Sequence, residues 1–122
     1  IIVDSNNVLI GAGYNGFPRG VDSDVFPWER TGELPDTKYA YVCHAEENAI
    51  YNSNTKTAGG KIYATLFPCN ECAKAIIQNG IKEIIFESDK YHDDKIWVAS
   101  RRMLDAAGIT YRQYISDYDT SK

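Results

Sequence analysis

The second half of the chain alternates strand-like with helix-like segments, and this alternation limits the fold more than any other feature. Lys61–Leu66 reads as a strand, set off by Gly59-Gly60. Cys69–Asn79 reads as a helix, with Pro68 just before it and Gly80 as its stop. Ile81–Phe86 is a β-branched apolar strand. Ile96–Ala107 is a further helix ended by Gly108, its Ile96, Ala99, Met103, Leu104 and Ala107 falling near helical spacing. Ile109–Tyr114 is a last strand. Repeated strand–helix–strand units imply helices packed on a central sheet.

The first half is less regular. Ile1–Val3 and Val8–Ala12 are short apolar strands around Asp4-Ser5-Asn6-Asn7, a hairpin-turn composition. Gly13 to Val42 is a long irregular stretch holding Pro18, Pro27, Pro35 and Trp28. Loops of that length in a compact domain are usually functional or wrongly assigned. His44 to about Tyr51 reads as a helix, with Glu46 and Glu47 in the first turn, where the dipole favours acids. The polar tail Ser116–Lys122 is expected to fray.

The length, 122 residues, suits one domain spanning 1–122. No apolar run approaches the ~18 residues of a membrane span. Thirteen basic and seventeen acidic residues give a net charge of −4, without the basic excess of a general nucleic-acid binder. The three cysteines, Cys43, Cys69 and Cys72, are an odd number, and Cys69 and Cys72 form C-x-x-C. That pattern favours metal or redox chemistry in a reducing compartment, and a cytoplasmic location is expected. The chain opens on Ile1-Ile2-Val3 rather than on Met, so it is expected to start inside the domain.

Three elements carry the chemistry: Cys43-His44-Ala45-Glu46-Glu47, Pro68-Cys69-Asn70-Glu71-Cys72, and the loop Gly13-Tyr14-Asn15-Gly16. One imidazole and two thiolates are donors that zinc prefers. Cys69 and Cys72 lie three apart at a helix start, on one face, where the dipole also favours thiolates. Three ligands, His44, Cys69 and Cys72, leave one position for an activated water. Glu46, two residues from His44, can move that water's protons without ligating the metal. Taken singly, C-x-x-C could be a redox pair and His44 an ordinary polar group. Together they form H-x-E…P-C-x-x-C, the signature of zinc nucleobase deaminases. Cys43 reads as a small buried hydrophobe, His92 as a solvated loop residue, Glu47 as a helix-start charge, and Tyr111, Tyr114 and Tyr118 as sheet packing and surface.

With these motifs in view, the chain resembles the deoxycytidylate (dCMP) deaminase family of the cytidine deaminase-like superfamily. The likeness rests on Gly13-Tyr14-Asn15-Gly16-Phe17-Pro18-Arg19-Gly20, Pro27-Trp28-Glu29-Arg30-Thr31, Asp36-Thr37-Lys38-Tyr39, the two metal motifs, and Ser88-Asp89-Lys90-Tyr91-His92-Asp93. It runs from Ile1 to about Tyr114. The zinc motif names only the superfamily; the other segments narrow it to the dCMP branch.

The resemblance implies a three-layer α/β/α sandwich around a central mixed sheet, with the family's N-terminal helix upstream of Ile1. It implies one catalytic Zn²⁺ per subunit and hydrolysis of dCMP to dUMP and ammonia, with Glu46 as the proton carrier. It implies a homo-oligomer, commonly a hexamer, activated by dCTP and inhibited by dTTP, with Mg²⁺ accompanying the nucleotide effector. By matching position, Asn15 would bond the deoxyribose and the Ala45 N–H the base. Phe67 and Pro68 would face the amino group, and Tyr91 the sugar–phosphate end. Gly16, Phe17, Arg19, Gly20 and Lys90 are candidates for effector or phosphate contact. A polynucleotide deaminase is disfavoured by the −4 charge and the long Pro- and Trp-bearing insertion. A closed structural zinc module would need a fourth protein ligand, and neither Cys43, which adjoins His44, nor His92 offers a convincing one.

Overall fold

The structure, a computed structural model, describes residues 1–115. The tail from Ser116, Tyr118 included, lies outside the described residues.

Strands β1 (Ile2–Val3) and β2 (Leu9–Gly11) pair antiparallel. Asp4 builds the turn between them: its Oδ1 accepts from the backbone N–H of Asn6 at 2.8 Å and of Val8 at 3.0 Å. Asn7 takes φ 64°, a left-handed conformation that Asn tolerates because its short side chain can bond locally. β3 (Lys61–Leu66) lies antiparallel to β1, with Ile2 opposite Ile62. β4 (Glu83–Ser88) and β5 (Thr110–Gln113) follow in parallel. The order is β2-β1-β3-β4-β5, the mixed α/β sheet expected.

Three helices attend it: α1 (Ala45–Tyr51), α2 (Asn70–Gln78) and α3 (Lys95–Ala106). Each parallel step, β3 to β4 and β4 to β5, uses a helix as its crossover, because parallel strands cannot be joined by a tight turn. Ile2, Ile62, Ile84 and Phe86 of the sheet form one core with Ala49 of α1, Ala73 and Ile76 of α2, and Leu104 of α3. No helix among the described residues is long and apolar enough to cross a membrane.

Two strands begin later than the apolar runs suggest. Ile81 and Ile109 each close the preceding helix instead of opening a ladder. Gly80 (φ 73°) and Gly108 (φ 74°) turn the chain left-handed. The Ile81 N–H then returns to the Ile76 carbonyl, and that of Ile109 to the Leu104 carbonyl. Both isoleucines are buried, as the apolar residue after such a glycine commonly is.

Between β2 and α1 the chain has two short 3₁₀ turns, Leu34–Asp36 and Lys38–Ala40. Phe17, Phe26, Trp28 and Tyr41 gather there as an aromatic cluster, with Phe17 and Trp28 centroids 4.5 Å apart. Gly16 exchanges two backbone hydrogen bonds with Cys43, which ties the glycine-rich loop to the residue before His44.

Candidate active site

Two helix starts converge. His44 is the N-cap residue of α1 and Cys69 that of α2, and neither side chain is spent on capping its own helix. Both are therefore free to point at a common centre. His44 Nδ1 lies 3.3 Å from Cys72 Sγ and 3.4 Å from Cys69 Sγ. All three donor atoms fall within 4.8 Å of one another, and both cysteines are buried. Tetrahedral zinc with ordinary bond lengths would hold nitrogen and sulfur about 3.5 Å apart. The donor set and its spacing thus fit zinc.

Among themselves the three side chains share charge unequally. The Cys69 thiol is drawn down to about 4, first by the hydrogen bond with Cys72 and then by His44. Cys72 is pushed above the ordinary thiol range by that same bond and by burial. His44 is raised, chiefly by its bond to Cys69. A divalent cation supplies the charge that lets both thiols ionise.

Glu46 and Glu47, neighbours in the first turn of α1, both approach Cys72. Glu46 lines a cavity of about 380 Å³ together with Gly13, Ala45, Ala64, Thr65, Glu87 and Tyr114. Burial raises its carboxyl above the usual range, against the hydrogen bond of Cys72 and the charge of His44. Glu47 turns to the cysteines: its Oε1 is 4.0 Å from Cys72 Sγ, and its Oε2 accepts from the Tyr51 hydroxyl at 3.2 Å. Glu47, expected as a helix-start charge only, thus stands beside a metal-ligand candidate. Its spacing of three from His44 was the signal, since residues i and i+3 share a helical face.

The glycine-rich loop is sewn to α1. Asn15 Oδ1 accepts from the Ala45 N–H at 2.8 Å. The two groups expected to bond the sugar and the base are thus bonded to each other. Asn48 Nδ2 donates to the Tyr14 carbonyl, and Asn52 Nδ2 to the Ala12 carbonyl. Gly13 lets the loop come this close: a Cβ there would meet Ala49 N at 2.4 Å and Ala45 O at 2.7 Å.

Other expected residues distribute unevenly. Phe67 is 1% exposed and packs edge-on against Phe86 and Tyr111, so its ring belongs to the core and only its backbone can face a ligand. Pro68 is likewise buried. Tyr91 is exposed and lies against Trp97, with Lys90 Nζ 5.1 Å from the Tyr91 ring centroid. Gly16, Phe17, Arg19 and Gly20 line a second cavity of about 840 Å³ with Asn15, Trp28, Cys43 and Tyr51. Cys43 is half-buried at that cavity rather than packed in the core, because its backbone pairs with the exposed loop at Gly16. His92 is exposed, as expected, and its ring bonds Asp89 at 2.8 Å.

Residues 1–88 match the family model of the cytidine and deoxycytidylate deaminase zinc-binding region. The human deoxycytidylate deaminase is 58% identical over 116 residues, covering 93% of this chain and 65% of that protein. The mouse deoxycytidylate deaminase is 54% identical over 119 residues, covering 96% and 67%. The chain thus spans about two-thirds of the length of these relatives. Among solved structures, the dCMP deaminase of cyanophage S-TIM5 in complex with dCMP and dUMP superimposes with a TM-score of 0.67 at 25% identity, covering 93% of this chain and 78% of that one.

Proposed function

From the premise that this chain belongs to the cytidine and deoxycytidylate deaminase family, we propose that it hydrolyses dCMP to dUMP and ammonia. One observation carries the reading: the His44, Cys69 and Cys72 donors meet within 4.8 Å, and the Glu46 carboxyl stands close enough to feel the Cys72 thiol and the His44 charge. Zinc, when held by these three residues, brings the pKa of a water toward ~7 and so makes a nucleophile available at neutral pH.

The chain's own groups do the remaining work. Glu46 takes a proton from the attacking water and gives it to N3 of the cytosine ring. After the water oxygen has joined C4, Glu46 carries the second proton to the exocyclic nitrogen, which leaves as ammonia. The Ala45 N–H bonds the base once Asn15 turns from it to the deoxyribose. Tyr91 stands at the sugar–phosphate end, with Lys90 beside it. The unit acts as a single domain, with one zinc per subunit.

The reading extends to control. The second cavity holds Asn15, Gly16, Phe17, Arg19 and Gly20 and suits a nucleotide effector, dCTP as activator and dTTP as inhibitor. Among the described residues that line this cavity, Arg19 is the one cationic side chain, and it already donates to Asn52 Oδ1 at 3.1 Å. A triphosphate there therefore calls for Mg²⁺ or a neighbouring subunit, in keeping with a hexamer. A cytoplasmic location belongs to the same reading, supported by the C-x-x-C pair, which suits a reducing compartment.

The test is direct. Full-length, zinc-loaded protein is incubated with dCMP, and dUMP and ammonia are quantified, with metal-stripped protein as the control. Equal release of both products, dependent on zinc, is expected. No dUMP under any effector condition would overturn the assignment.

A further inference from the structure

Helix α3 reaches both halves of the site through one indole. Trp97 Nε1–H donates to the Phe67 carbonyl at 2.8 Å. Three residues on, the fully buried Ser100 hydroxyl donates to the Pro68 carbonyl at 2.8 Å. These are the two peptide carbonyls immediately before Cys69. Pro68 has no N–H, so its carbonyl is the one backbone group by which that residue can be held. The face of the same indole lies against Tyr91, with centroids 4.9 Å apart and ring planes at 41°. One turn further, Arg101 Nη2 donates to the His92 carbonyl, tying down the loop that carries Tyr91.

We propose that Trp97 is a positioning residue for the deamination site: its N–H fixes the segment that presents Cys69 and Cys72, and its ring sets the place of Tyr91. The second half of this rests on the deaminase reading; the first half does not. Residues 97, 100 and 101 share one helical face at spacings of three and four, so a small rotation of α3 would move the metal segment and the substrate loop together. A tryptophan that only filled the core would affect stability alone. A positioning residue has separable effects, because the N–H and the ring face hold different partners.

The experiment uses zinc-loaded, full-length protein. Trp97→Phe keeps a ring for Tyr91 and removes the donor. Trp97→Leu removes both, and Tyr91→Ala removes only the stacked partner. Three quantities are read: zinc release to a chromogenic chelator, kcat and KM for dCMP, and the thermal midpoint. Loss of one buried hydrogen bond should speed zinc release about three- to tenfold in both Trp97 variants. KM should stay within about twofold in Trp97→Phe and rise about fivefold in Trp97→Leu, as in Tyr91→Ala. The double variant Trp97→Leu/Tyr91→Ala should raise KM no further than Tyr91→Ala alone. Lower thermal midpoints with unchanged zinc release and KM would overturn the inference. If Trp97→Leu does not fold, Trp97→Phe and Ser100→Ala still decide it, since each removes one carbonyl partner and both must speed zinc release. If the parent protein turns over no dCMP, the deaminase reading fails while zinc release still judges the role of the N–H. If the parent is active and the variants match it in every readout but stability, the positioning role alone fails.

Discussion

Glu46 and Glu47 are adjacent in sequence and about 100° apart around α1, which gives two carboxylates two environments. Glu46 borders the cavity of about 380 Å³ and feels Cys72 and His44, whereas Glu47 has Cys72 Sγ 4.0 Å from one oxygen and the Tyr51 hydroxyl on the other. Glu46→Gln should keep zinc and the fold and lower kcat by about 10²–10⁴-fold, the range for a lost proton carrier. Glu47→Gln leaves the proton route intact and should lower kcat by less than about tenfold. Zinc content and steady-state rates, measured together, check both. A zinc-replete Glu46→Gln protein with near-parental turnover would rule out the proton route. Cys69→Ala and Cys72→Ala differ in kind, since each leaves two donors where three fit a metal. Both should lose zinc and activity together, by metal analysis on purified protein. Full zinc occupancy in either would show that the cluster is not the metal site. Most of this was legible in the sequence, because ligand spacing on a helix start is a local property. The role of Glu47 was not, because it depends on where α2 places Cys72.

At the scale of elements, local rules reached far but stopped where the chain contacts itself at a distance. β3 was legible to the residue, since Gly60 and Phe67 bound a single strand-like run. β4 lies two residues beyond its apolar run, since an apolar isoleucine after a glycine serves a helix cap as well as a strand. The resemblance puts Phe67 against the amino group, yet its ring packs edge-on against Phe86 and Tyr111, far from Phe67 in sequence. The seam between the glycine-rich loop and α1 was invisible, because it joins residues 30 to 40 apart through Asn15, Asn48 and Asn52. That seam yields a test. In Gly13→Ala the new methyl would fall 2.4 Å from Ala49 N, an unyielding backbone atom. The loop must lift from α1, at a cost of roughly 1–3 kcal/mol. Denaturant unfolding should register the loss, and kcat/KM should fall with it because a lifted loop no longer holds Asn15 in reach of the deoxyribose. Unchanged stability would mean that the loop does not rest on α1 in solution.

For the whole molecule, charge sets the problem that substrate choice must solve. A net charge of −4 repels a phosphate dianion at long range, so preference for a nucleotide has to come from donors at the site. Lys90 is the best placed, with its ammonium near the Tyr91 ring, whereas Arg19 is engaged with Asn52. One charge-assisted hydrogen bond contributes roughly 1.5–3 kcal/mol, which corresponds to about ten- to a hundredfold in kcat/KM. dCMP should therefore exceed deoxycytidine by at least about tenfold. Lys90→Ala should remove most of that advantage while leaving the rate on deoxycytidine as it was. The measurement is kcat/KM for dCMP, CMP and deoxycytidine on parent and Lys90→Ala protein, with and without dCTP. Equal values for dCMP and deoxycytidine under both conditions would make the protein a nucleoside deaminase. A persistent preference in Lys90→Ala would move phosphate recognition to another donor and leave the nucleotide reading intact.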